Sequence, residues 1–424
     1  MLTKAQRGGV IAGIAAVGLA AGAFPAWSGG GPKTELTSRG PGGLTVHGVS
    51  STYGNSLSGN GRLALFTVDD DGLAGGDETM DVYVRNRKTR KTKLVSKSTS
   101  GVPANDSCSD GPAISSDGRF VAFECNAENL AGGADGLFVR DLKRGTTRLV
   151  SRTAAGQPAD GGGGRPDLSA NGRFVVFESN SDDLPGLAGT TDAYVRDLRR
   201  GRTRLVSKSS DGDPVDDNSS RMPSISGTGR FAVFQSTSDV LPGAPLTLDV
   251  YVRDLRRGST RLVSRSSSGA PGNGGSSLAP GAMAGSGRFV VFESNAANLG
   301  ATLSGTALLR DLKTGKTRVV SRVPGGGVAD GEEPVISAKG RYVAYTSDDD
   351  DLPGAPGQLD VYRFDRKPKS TRLLSRSTGG DPADDDSFYP SISNSGGVVA
   401  FTSRADNLSG ADDNLYSNTF VRIP

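Results

Sequence analysis

The chain has 424 residues, 61 of them Gly, with 35% hydrophobic, 6% aromatic and 22% charged residues. That mix holds too many turn formers for a helical bundle and too much apolar content for disorder, so short strands joined by turns are expected. Lys and Arg number 49 against 46 Asp and Glu, a formal net charge of +3, and one His and two Cys leave almost no material for His-based triads or for zinc sites.

At the N-terminus, Lys4 and Arg7 precede an apolar stretch from Val10 to Ala21, and Ala21-Gly22-Ala23 offers small residues at a cleavage position. Residues 1–23 therefore read as a secretory signal peptide, with a mature chain over 24–424 that is secreted or associated with the cell envelope. A retained anchor is the weaker alternative, because the stretch is short and rich in Gly and Ala. No later segment is long and apolar enough to span a bilayer as a helix. Two Cys in an exported chain permit a disulfide, and Cys108 with Cys125 is expected to form one, two buried thiols being the alternative.

The rest of the chain is one pattern repeated. Leu94-Val95-Ser96-Lys97 returns as Leu149-Val150-Ser151-Arg152, Leu205-Val206-Ser207-Lys208, Leu262-Val263-Ser264-Arg265, Val319-Val320-Ser321-Arg322 and Leu373-Leu374-Ser375-Arg376, at steps of 55, 56, 57, 57 and 54. Between these marks lie three further runs, seen in one unit as Asp167-Leu168-Ser169, Phe174-Val175-Val176-Phe177-Glu178 and Asp192-Ala193-Tyr194-Val195-Arg196-Asp197-Leu198. Each unit thus has four short strands, a to d in chain order. Asn171-Gly172 and Asp117-Gly118 mark hairpin turns between a and b. Strand b is apolar on both faces, as suits a strand covered on both sides, and d has the charged flanks of an outer edge.

Four-stranded antiparallel units in series imply a β-propeller. A Gly-Arg mark opens strand b at Gly61, Gly118, Gly172, Gly229, Gly287 and Gly340, and a seventh copy at Gly396 has Gly397 in place of Arg. The seventh set ends at Asn418-Thr419-Phe420-Val421-Arg422 with no strand d after it, whereas Thr34-Glu35-Leu36-Thr37-Ser38-Arg39 matches a strand d. The expected fold is all-β: a seven-bladed β-propeller whose ring is closed by the N-terminal strand, within residues 33–39, completing the C-terminal blade.

Runs such as Ile114-Ser115-Ser116-Asp117-Gly118-Arg119-Phe120-Val121-Ala122-Phe123 and Asp249-Val250-Tyr251-Val252-Arg253-Asp254-Leu255 resemble the exported bacterial WD-like or TolB-type propeller repeats. The resemblance covers nearly the whole mature chain and implies a propeller. It carries no particular activity, since propellers host binding, scaffolding and catalysis alike. The Gly-His and Trp-Asp marks of eukaryotic WD repeats, an α/β domain ahead of the propeller and a hydrolase domain after it are all missing, so neither a translocation nor a peptidase role is carried over.

Antiparallel order puts the a-to-b and c-to-d turns on one face, the bottom, and the b-to-c and d-to-a connections on the other, the top. The bottom collects 35 basic residues against six Asp, and the top collects 39 of the 46 acidic residues, so the small net charge is a cancellation between faces. Nine residues on from each strand-d Ser stand His47, Asn105, Asp160, Asp216, Asn273, Asp330 and Asp384. These seven are the candidate binding residues, a collar for a cation or polar ligand around the upper channel mouth. The competing reading is a set of Asx-turns that only shape the loop. Calcium is the one cation carried as a candidate, for its oxygen ligands, but no cluster has the spacing of a known calcium loop; no cofactor is otherwise expected.

The function these features favour is a secreted, non-catalytic binding or scaffold protein, expected to be monomeric. Its acidic top would meet a cation, peptide or cationic protein, and its basic bottom an anionic envelope polymer. The alternative is a propeller hydrolase or lyase acting on an extracellular polymer, though no Asp pair stands out from the repeats. Nucleic acid is not an expected partner, because the aromatics lie in strands b and c and not among the basic loops.

Overall fold

Runs such as Phe174-Val175-Val176-Phe177 combine strand propensity with no polar face, and each becomes the second strand of a four-stranded sheet. The computed structural model describes residues 31–424 apart from 45, 47–49, 53, 54, 70–78, 109, 110, 217–219, 244–246, 302–304, 355 and 411–415. Residues 32–424 form seven such sheets, every one antiparallel in the order a, b, c, d. In the third blade these are Gly164–Leu168, Phe174–Ser179, Asp192–Asp197 and Arg202–Leu205. The ring closes as expected: Lys33–Leu36 pairs with Asn418–Ile423, Thr34 opposite Arg422, as the outer strand of the seventh blade. Strands b and c carry the core, and in six blades they hold a stacked aromatic pair such as Phe177 and Tyr194 or Phe234 and Tyr251, ring centres 5.6 Å apart in both, while in the fifth Phe292 faces Leu308.

Three polar contacts recur from blade to blade. Ser264 Oγ donates to Asp249 Oδ1 (2.6 Å) and accepts from the Val250 amide (3.0 Å), pinning the start of strand c to the end of d. Ser207 with Asp192, Ser375 with Asp360 and, across the ring closure, Ser38 with Asn418 repeat this lock. Strand d itself is shorter than the Leu-Val-Ser mark suggests. It runs over Ser259–Leu262 in the fourth blade and stops at Leu36 in the seventh. The reason is local: the Val263 and Ser264 amides both point at the Val250 carbonyl, at 2.7 and 3.4 Å, and that irregularity ends the ladder.

The second contact is a clamp between blades. Arg253 Nη1, in strand c, donates to the Lys208 and Ser209 carbonyls of the preceding blade, both at 2.9 Å, and to Thr260 Oγ1 at 2.6 Å. Arg140, Arg310 and Arg422 do the same. The third contact joins the Gly-Arg mark to the end of strand c. Arg230 reaches Asp254 at 2.7 Å, and Arg119 with Asp141, Arg173 with Asp197, Arg288 with Asp311 and Arg341 with Asp365 repeat it. Much of the charge segregation is therefore structural: Arg85, Arg140, Arg196, Arg253 and Arg310 are buried, and all the bottom Asp except Asp117 face an Arg.

At the bottom of the channel the a-to-b turns join in a closed circle of backbone hydrogen bonds. Gly59 N donates to Ser116 O, Asp117 N to Ala170 O, Ala170 N to Gly227 O and Gly227 N to Gly285 O. Ser286 N donates to Ala338 O, Ala338 N to Asn394 O, and Asn394 N returns to Gly59 O, the seven distances running from 2.9 to 3.2 Å. Small residues are required here, since a Cβ on Gly59 would lie 2.9 Å from the Ser116 carbonyl oxygen. Just above, Asn55 Nδ2 of the first blade donates to Asp167 Oδ1 of the third at 2.5 Å, and a Cβ on Gly281 of the fifth would lie 2.8 Å from Asn55 Oδ1. Asn55 thus reaches across the axis. The space above this level, lined by the seven strands a, is called the well below.

Cys108 and Cys125 are disulfide-bonded, joining the d-to-a connection of the second blade to the upper end of its strand b. Among the described residues, no helix is long and apolar enough to cross a membrane.

Candidate functional site

The wall of the well is built from strand a, and in four blades that strand is strained at its upper end. Ladder register shifts between Gly164 and Asp167, Arg221 and Ser224, Glu332 and Val335, and Phe388 and Ser391. Each bulge holds a residue followed by Pro, and that residue is left-handed: Arg165 (φ 48°), Met222 (54°), Glu333 (49°) and Tyr389 (54°). A Cβ makes this region unfavourable by about 1–2 kcal/mol, and a following Pro pushes its predecessor toward extended backbone. Strain of this kind persists only where surrounding contacts hold it, and it gathers at ligand clamps and active sites.

Those contacts come from the neighbouring blade. Glu178 Oε2, at the end of strand b, accepts from the Met222 amide at 3.1 Å, and Glu333 Oε2 accepts from the Tyr389 amide at 3.1 Å. The Glu333 amide in turn faces the Glu293 carboxylate. Gln235 plays the same part with the Leu278 amide at 2.9 Å.

The rim is electrically two-sided. On blades three and four, Arg165 Nε lies 3.3 Å from Glu178 Oε1, and its Nη1 lies 3.0 Å from Met222 Sδ. On blades five and six, acids gather. A methyl built on Gly305 would lie 3.6 Å from Oε1 of both Glu293 and Glu332, so these two carboxylates converge on one small space. Partial burial, then the nearby Glu332 charge, raises Glu293; Glu332 is exposed to solvent, and its partial loss of hydration, then Asp348 and Asp330, raises it. Burial pushes Glu333 up to about 7, with Glu332 and Glu293 adding to the rise and the Tyr389 amide opposing it. Beside Glu333, Phe388 and Tyr389 meet edge to face at 4.9 Å, and Arg404 lies over Phe388 at 5.5 Å.

The collar positions can be placed individually. His47 lies outside the described residues. Asp160 Oδ1 accepts from Ser181 Oγ at 2.5 Å, Asp216 Oδ1 from Ser238 Oγ at 2.7 Å, and Asp384 Oδ1 from the Asp406 amide at 2.9 Å. The Asn105 amide donates to Asn129 Oδ1 at 3.2 Å, and Asn273 and Asn298 exchange amide-to-Oδ1 bonds at 3.0 and 3.2 Å. These five join the d-to-a connection to the b-to-c loop of their own blade, across 21 to 25 residues of chain, and not to their own turn as an Asx-turn would. Asp330 makes the same link through its amide, which donates to Asp349 Oδ2 at 3.4 Å, but its Oδ1 is buried without a partner, and burial, then Asp349 and Asp348, raises its pKa. Of the six described positions it is the one that belongs to the acidic cluster.

Glu178, Glu293, Glu332 and Glu333 were not among the sequence candidates. Signals pointed to three of them: Glu178 and Glu293 close an otherwise apolar strand b, and Glu333 stands directly before Pro334 in strand a. Among the described residues, no group of three His, Cys, Asp or Glu side chains is placed to hold a metal ion.

No protein-family model matches the chain, and no curated protein matches its sequence. Solved structures do match its fold. An oligogalacturonate lyase in complex with manganese is 14% identical, with 93% of this chain and 96% of that one covered and a TM-score of 0.58. The oligogalacturonate lyase of Vibrio parahaemolyticus gives 15%, 92%, 96% and 0.56. The β-propeller domain of the trilobed protease from Pyrococcus furiosus, described as having an open velcro topology, gives 12%, 83%, 91% and 0.51. TolB from Acinetobacter baumannii is matched over 90% of this chain at 12% identity and a TM-score of 0.43. What the chain shares with the first three is the fold, here a seven-bladed ring closed by its own N-terminal strand.

Proposed function

We propose that the chain is an exported, non-catalytic binding propeller whose well captures a primary amine, a Lys side chain or peptide amino terminus, in its acidic sector. The observation that carries this reading is the convergence of Glu293 and Glu332 on the space beside Gly305, next to Glu333. An ammonium group is compact and offers three donors, which suits two converging carboxylate oxygens. Asp330 extends the cluster outward, and the remaining collar residues hold the rim in shape. The Lys and Arg of the c-to-d hairpins left outside clamps and bridges give the bottom face its attraction for anionic envelope polymer, through a field that salt weakens. The N-terminal apolar segment and the Cys108–Cys125 disulfide support export.

The test is calorimetric titration with tri-lysine at pH 8. Glu332→Gln and Glu293→Gln should each weaken binding about tenfold or more, since a charge-assisted hydrogen bond contributes roughly 1.5–3 kcal/mol. Unchanged affinity in both variants refutes the assignment. A catalytic reading has one observation in its favour: a carboxyl at about 7 is well matched to general-base work at neutral pH, and two lyases share the fold. Turnover of a uronate oligomer by the native chain and not by Glu333→Gln would establish that reading instead.

A further inference from the structure

The inter-blade clamp fails at one junction. Between blades five and six, the position held by Arg140, Arg196, Arg253 and Arg310 in other blades is Phe364, and Arg has moved one place to Arg363. Arg363 lies on the opposite side of the strand, where it donates to the Gly396 carbonyl at 2.6 Å and stacks on Tyr342. The Arg322 carbonyl, whose counterparts at Lys208 and Arg265 receive the clamp, keeps only the bond from Thr371 Oγ1, 2.7 Å, among those seen at the other junctions. Further departures from the repeat gather here. Val323 replaces the Ser at 209 and 266, Arg366 replaces the Leu at 255 and 312, and Tyr345 replaces the Phe at 234 and 292. The Tyr345 hydroxyl is buried beside Thr371 and the Arg322 carbonyl and meets neither at hydrogen-bonding geometry.

The junction consequently opens into a groove of about 1040 Å³. Leu309, Val319, Val323 and Phe364 form an apolar floor, Arg318, Arg322, Arg366 and Lys369 form the rim, and among the described residues no acidic side chain lines it. Lys316 and the Arg288–Asp311 ion pair stand in an adjoining recess that shares Leu309, Arg318 and Arg366 with the groove, so Lys316 is the cation that the recess adds. An apolar floor inside a ring of cations has one chemical complement. The floor takes a hydrocarbon or aryl body, and the rim takes a carboxylate, phosphate or sulfate head.

We propose that this groove is a binding site for a single anionic amphiphile, an apolar chain or ring carrying one anionic head, and that the exchange of the clamp Arg for Phe364 creates it. The site is on the outer flank of the propeller and is independent of the amine reading of the well. Bound ligand replaces the missing clamp and bridges blades five and six.

Dodecyl phosphate, kept below its micelle concentration and titrated calorimetrically into the full mature chain, tests this. One equivalent should bind, and an equal concentration of dodecyltrimethylammonium should not compete. Phe364→Arg restores the clamp used at the other junctions and should weaken binding at least tenfold, while Arg318→Glu and Lys369→Glu should each weaken it about threefold to tenfold. Should Phe364→Arg fail to melt cooperatively, the two surface variants decide. Absence of binding to the native chain, equal binding of the cationic amphiphile, or affinities unchanged in the folded variants would overturn the proposal.

Discussion

Glu333 offers a direct test of the well's electrostatics through stability alone. Its carboxyl sits at about 7 in the folded chain against an ordinary value of 4.5. The folded state therefore holds a proton between these values that the unfolded state has released, and stability falls as pH rises through that window. The loss is complete above about pH 7, where the folded protein must carry a partly buried charge beside Glu332 and Glu293. A gap of roughly 2.5 pH units corresponds to about 3 kcal/mol. Gln at this position keeps an acceptor for the Tyr389 amide and never ionises. Glu333→Gln should match the native chain at pH 4.5 and exceed its stability by up to about 3 kcal/mol at pH 8, a rise in melting temperature of about 3–6 °C for a chain of this size. Differential scanning calorimetry at the two pH values gives the answer. A variant less stable than the native chain at pH 8, or one with the same offset at both, would refute the account of why this group is raised.

Other outcomes follow from the same contacts. Gly59→Val places a Cβ 2.9 Å from the Ser116 carbonyl oxygen, inside a circle of backbone bonds that has no room to widen at one turn; it should cost about 2–4 kcal/mol by urea denaturation. Replacing Cys108 and Cys125 together by Ser removes a cross-link spanning 17 residues and should cost about 3 kcal/mol, with reductant lowering the native melting temperature toward that of the variant. Asp254 is held below the usual carboxylate range by its hydrogen bond from Arg230, supported by the Arg256 and Arg257 amides. Its contribution is present above the ordinary Asp value and fades as pH falls through the lowered one. Asp254→Asn should therefore lower stability at pH 7, with the difference from the native chain shrinking in acid titrations followed by circular dichroism.

The repeat made the architecture readable, because each blade spells the same local chemistry: a Gly turn, an apolar strand, an Asp-opened strand, a short charged edge. Thr34 to Arg39 could be matched to a strand d for the same reason. The well was harder to read. Glu293 and Glu333 are 40 residues apart in the chain and meet only because consecutive blades lie side by side. Equal spacing singled out Asp160, Asp216 and Asp384, yet spacing cannot distinguish a carboxylate bonded to its own blade from one facing an open space. Counting charges by face also overstated the bottom, since Arg253 and its equivalents look like surface cations in sequence and are buried clamps in the fold. The Phe364 exchange was visible in the aligned repeats. Its meaning depended on knowing what the Arg in other blades holds.

Proton release on ligand binding tests the central claim most directly. An amine that binds beside Glu333 favours its ionised form, while the amine itself stays protonated near neutrality. Titration of tri-lysine at pH 6 in buffers of different ionisation enthalpy should show about one proton released per ligand, declining toward none at pH 8.5 and absent in Glu333→Gln. Binding at pH 6 without proton release, or with release unchanged in Glu333→Gln, would contradict amine capture in the acidic sector of the well.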